Sequence, residues 1–123
     1  MFGWLARKPG EAKQLMPESK WLLASEGEVL RVVDDKQNAK QLAKSDLTGV
    51  IVETNDSGPW GIDVWWLLFG PDDQVALFYP QGATGEDAML TYLMSLPGFD
   101  SEKLTDAMRS TSNTVFPVWR RGQ

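Results

Sequence analysis

The sequence contains no cysteine and no histidine. The first absence removes disulfides, thiolate nucleophiles and zinc-thiolate centres, and it suits a reducing cytosol. The second removes the side chain most used for proton transfer near neutral pH, which is also the commonest metal ligand. A catalytic nucleophile would have to be Ser, Thr or Lys with a Lys or carboxylate base, yet no G-x-S-x-G, S-x-x-K or P-loop pattern is present. Long apolar runs are missing too. The longest, VWWLLF at residues 64–69, is far below the roughly 20 residues that a membrane helix needs. The first ten residues, MFGWLARKPG, start apolar and turn basic at Arg7 and Lys8, the reverse of a signal peptide, so no export signal is read and a cytoplasmic location is expected. What is present is a chain of 123 residues, enough for one domain that buries roughly two thirds of its unfolded surface.

Bases are scarce where acids are dense. Residues 46–106 hold eleven acids and one base, Lys103, whereas residues 1–45 hold eight bases and six acids, and residues 107–123 add three arginines to reach the net charge of −5. If the mid-chain carboxylates share a face, that face repels nucleic acid and anionic lipid and attracts basic surfaces. The competing explanation is that they are solvated loop and cap residues, because turns and helix starts favour Asp and Glu.

Residues 1–19, with Gly3, Pro9, Gly10 and Pro17, read as a loosely attached leader containing at most a helical turn, and residues 20–123 as a single domain. WLLA and EVLRVV flank the polar turn Ser25-Glu26-Gly27, the pattern of a β-hairpin. A second polar turn over residues 34–40 precedes a short strand, and GVIVET is a β-branched strand. In VWWLLF, Val64, Trp66 and Leu68 share one face and Trp65, Leu67 and Phe69 the other, so a central strand covered on both sides is expected. The cover would be a helix on one face and barrel closure, the leader or a partner on the other. GPDD reverses the chain into QVALFY, which Pro80 ends. Thr84 is the expected N-cap of a helix running to Leu96, Asp100 that of a second helix ending near Ser110, and TVFPVW is an edge segment because of Pro117. The order of elements makes the fold α+β. A strongly bent antiparallel sheet, similar to a pleckstrin-homology-like barrel, with one or two C-terminal helices is preferred to an open sheet packed by two helices.

The connection NDSGPWGI, residues 55–62, joins two strong strands and is stiffened by Pro59 between Gly58 and Gly61. It reads either as a rigid loop with Trp60 folded over the sheet or as a presented recognition surface, with Trp60 as a rigid anchor between Asp56 and Asp63. Glu53, Asp56, Trp60, Asp63 and Trp65 are therefore the candidate partner-binding residues. Calcium binding by Glu53, Asp56 and Asp63 is disfavoured, since their spacing does not match an EF-hand loop. No metal, cofactor or catalytic residue is assigned.

The pattern ET-x-D-x-GP, DV-x-W-x-L, P-x-GA-x-GE and LPGFD, carried here by Glu53, Asp56, Pro59, Asp63, Trp66, Gly82, Glu86 and Asp100 among others, resembles a group of small uncharacterised bacterial proteins. That resemblance spans residues 53–119 and omits the leader and first hairpin. By analogy it implies an immunity or antitoxin-like protein that neutralises a basic toxin such as a nuclease. No residue role is carried over. The function expected is thus a non-catalytic module that binds a basic protein through carboxylates, with no nucleic-acid or membrane partner. A homodimer is a further option if Trp60 and Trp65 are exposed. The alternative from another class is a pleckstrin-like scaffold or adaptor with no toxin partner.

Overall fold

The computed structural model describes residues 17–58 and 61–122. Two antiparallel sheets and two helices make up an α+β fold. The first sheet has the order β1-β2-β3, with β1 at Leu22–Glu26, β2 at Val29–Val33 and β3 at Ala39–Ala43. Gly27 turns β1 into β2 with φ of 52°, a backbone region that glycine enters without steric cost. The next turn is held by the Asp34 carboxylate, whose Oδ1 accepts from the backbone N–H groups of Lys36 at 2.8 Å and Asn38 at 2.9 Å. Those bonds, that from Asn38 first, hold the Asp34 carboxyl below its ordinary pKa.

The second sheet has the order β6-β5-β4-β7, formed by β4 (Gly49–Gly58), β5 (Gly61–Phe69), β6 (Val75–Pro80) and β7 (Thr114–Arg120). VWWLLF thus lies in an interior strand, but the expected cover on both faces is found on one only: Trp66 and Leu68 are buried, whereas Trp65, Leu67 and Phe69 are half-buried among the described residues. Pro117 lies on an edge strand. A bulge between Val50 and Ile51 in the β4–β7 ladder leaves Val118 unpaired, and this residue is fully buried. The ladders do not close into a barrel: β3 and β6 lie against each other without strand pairing.

Helix α1 spans Glu86–Met94 and α2 spans Ser101–Arg109. Asp100 caps α2 as expected, its side chain accepting from the Lys103 N–H at 3.0 Å. At α1 the expected cap is replaced. Gly85, with φ of 90°, holds the N-cap position, and the Thr84 hydroxyl instead donates to the Ser19 carbonyl at 2.8 Å. The reason lies in the first sheet: the Leu23 N–H donates to the Thr84 carbonyl and the Thr84 N–H to the Trp21 carbonyl, both at 2.8 Å, so Thr84 serves as a parallel bridge to Leu22 rather than as a cap. Ser19, inside the expected leader, is thereby tied to the domain.

The core lies between the helices and one face of the four-stranded sheet and extends to the first sheet through Leu23, Leu30, Val32 and Leu42. Its fully buried side chains include Leu68, Leu77, Met89 and Leu93. Thr54 is buried there as well, and its hydroxyl donates to the Ser112 carbonyl at 2.7 Å. Arg121 is pinned near the C-terminal end by donating through Nε to the Leu47 carbonyl at 2.8 Å.

Candidate functional site

The alternation of a strand sends successive side chains to opposite faces. In β4 and β5, Val50, Val52, Thr54, Trp66 and Leu68 are buried, whereas Ile51, Glu53, Asp63, Trp65, Leu67 and Phe69 are only half-buried. The register aligns the second set into rows across the sheet. Val115, Glu53 and Trp65 form one row, and Pro117, Ile51, Leu67 and Phe78 form the next. This face is largely apolar, and both helices pack on the opposite face. Val115 at 53%, Val75 at 47% and Phe78 at 41% exposure show how open it is among the described residues.

An aromatic cluster fixes one part of the face. Trp21, which immediately precedes β1, meets the Trp65 ring edge-on at 5.8 Å and the Phe78 ring at 5.8 Å, while Trp65 and Phe78 are 6.2 Å apart. Contacts of this kind hold large rings in one orientation before any partner arrives, so little side-chain entropy remains to be lost on binding. Glu53 stands directly opposite Trp65 in the ladder, and Asp63 pairs with Asn55 one row beyond on the same face. Diagonal neighbours in such a ladder lie about 7–8 Å apart at Cα. The two carboxylates therefore edge the aromatic cluster.

The structure brings together three of the five residues singled out from sequence, Glu53, Asp63 and Trp65. Trp60 lies outside the described residues, and so does the side chain of Asp56, whose backbone belongs to β4. Sequence reasoning missed Trp21 and Phe78. The face of Phe78 follows from strand alternation once the β5–β6 register is known, but nothing local to Trp21 announces a contact with a strand more than forty residues away.

Asp56 apart, the remaining mid-chain acids stand away from the aromatic cluster, although Asp73 lines the same face beside Ile51, Phe69 and Pro117. Asp72 and Asp73 sit in the turn between β5 and β6, where Asp73 meets Arg120 at 3.5 Å. Glu86 and Asp87 open α1, and Asp100, Glu102 and Asp106 belong to α2 or its cap. Helix starts and turns attract these carboxylates for local reasons, so among the described side chains the expectation of one shared acidic surface beside the aromatic cluster reduces to the pair Glu53 and Asp63. Among the described residues, no group of three or more carboxylates is placed to hold a metal ion, and no helix is long and apolar enough to cross a membrane. Comparison with protein-family models, curated proteins and solved structures gives no match.

Proposed function

We propose that this chain is a non-catalytic binding module, cytoplasmic and immunity or antitoxin-like, that captures a basic protein partner on the open face of its four-stranded sheet. One observation carries this reading: an ordered aromatic cluster at Trp21, Trp65 and Phe78 lies in a largely apolar face that is open among the described residues and is edged by Glu53 and Asp63. Apolar anchors of this type supply most of the binding energy, and nearby carboxylates steer a cationic partner and fix its register. The absence of cysteine and histidine from the sequence favours binding over catalysis.

The test is capture of interacting proteins from the native host by wild type, by the double variant Asp63→Lys with Trp65→Ala, and by Asp106→Lys as a control on α2. A basic partner kept by wild type and the control but lost by the double variant supports the proposal. Equal capture by all three would remove this face from it. Loss of capture with rising salt is expected as well. The second reading, a pleckstrin-like adaptor, draws support from the contact of β3 with β6, the seam at which a bent sheet would close into a barrel. Binding to anionic vesicles, unaffected by the double variant, would favour it.

A further inference from the structure

On the other side of the four-stranded sheet, between it and the helices, lies a cavity of about 270 Å³. We propose that it is a site for a small organic cation, an alkylguanidinium or alkylamine with a short apolar body. The site is independent of the docking face.

Its wall on the sheet is made by Trp66 and Tyr79, cross-strand partners whose rings stack at 6.2 Å with an interplanar angle of 4°. Leu90 of α1 and Leu104 of α2 supply apolar surface opposite. Glu86 and Asp87, in the first turn of α1, supply negative charge. The acids alone would have a local explanation at a helix start. Tyr79 does not share it.

Tyr79 lines the cavity at 3% exposure, and its hydroxyl has no hydrogen-bond partner among the described residues. A buried hydroxyl without a partner is a liability that folded proteins seldom keep, so something in the cavity must meet it. Burial, reinforced by the Glu86 charge, raises the Tyr79 pKa, so the phenol is neutral at physiological pH and its oxygen accepts a hydrogen bond. Glu86 is held in place, because its Oε2 accepts from the Gly82 N–H at 2.6 Å, and that bond leaves Oε1 for a ligand. A cation with several N–H groups satisfies the Glu86 carboxylate and the Tyr79 oxygen together while its chain rests against Trp66 and the leucines. An anion meets two carboxylates and is rejected. The volume lies just below the usual range for ligand sites, which sets the size at a fragment and the affinity at about millimolar.

The probe is n-butylguanidinium, with n-butylurea as a neutral analogue of nearly the same shape, each titrated into the whole protein at constant ionic strength and followed by amide and indole NMR shifts. Saturable shifts at Gly82, Glu86, Leu90 and the Trp66 indole are expected for n-butylguanidinium, with n-butylurea weaker by about tenfold. Glu86→Gln retains an oxygen for the Gly82 N–H and should weaken the cation about tenfold without changing the urea. Tyr79→Phe should weaken both ligands several-fold. No saturable shift, equal binding of cation and urea, or undiminished binding of the cation by Glu86→Gln would overturn the proposal and leave only water in the cavity.

Discussion

Leu67 and Leu68 are neighbours of identical chemistry on one strand, and they point to opposite faces of the sheet. Replacing each by alanine therefore measures whether the outward face is covered. Leu68 has 0% exposure and lies in the core cluster, so Leu68→Ala removes buried methyl groups and leaves a cavity, at about 3 kcal/mol within a usual range of 2–5. Leu67 is half-buried and faces the open side, where water fills the space vacated, so Leu67→Ala should cost about 1 kcal/mol or less. The difference of about 2 kcal/mol corresponds to more than 1 M in urea midpoint if the slope is about 1.5 kcal/mol/M, and to roughly 8 °C in melting temperature at this chain length. Urea unfolding followed by circular dichroism is the assay, with the slope checked for constancy so that the midpoints report stability alone. Equal losses for the two variants would show that a further layer buries Leu67. The open face would then be core, and the docking proposal would fail with it.

Other perturbations test individual parts of the fold. Thr54→Val keeps the shape but removes the hydroxyl that donates to the Ser112 carbonyl, and should cost about 1–2 kcal/mol by the same urea assay. Gly85→Ala should destabilise by more than about 2 kcal/mol, because the residue has φ of 90° and an added Cβ would collide with the Leu23 carbonyl oxygen. The raised pKa of Tyr79 means that the folded state holds its proton more tightly than the unfolded chain, where the value is 10.0. Its contribution to stability is full below that value and declines as pH rises above it, by up to about 1.4 kcal/mol per pH unit. Unfolding measured between neutral pH and pH 11 should show this decline, and Tyr79→Phe should flatten it, leaving a smaller effect of the same sign from Tyr92, which burial also raises.

The parts of the fold legible in the sequence are those where one local pattern suffices. The strands β4 and β5 are legible in GVIVET and VWWLLF, and the Asp100 cap in LPGFD, because strand propensity and helix capping involve residues within a few positions of one another, whereas an all-apolar run such as VWWLLF does not tell which of its faces is the buried one. Thr84 shows where local reasoning fails. By composition it is a good cap for α1, but its backbone satisfies Trp21 and Leu23, and that long-range ladder outweighs a single capping bond.

The candidate site follows the same division. Glu53, Asp63 and Trp65 are near in sequence, and strand register alone places them on one face. Trp21 joins them only because the Trp21–Leu23 backbone is hydrogen-bonded to Thr84, beyond the end of β6, so its position depends on the packing of one sheet beside another. Charge composition was the less reliable guide, because a count of acids carries no direction. Most of the mid-chain carboxylates answer to a turn or a helix dipole near them, and among the described side chains the two that alternate onto the outward face of β4 and β5 stand beside the aromatic anchors. The specificity of the proposed docking face therefore rests on register: a one-residue slip of β5 would send Asp63 and Trp65 inward and Trp66 and Leu68 outward, burying a charge and exposing the core, which is why the apolar contacts of the inner face fix the placement of the outer one.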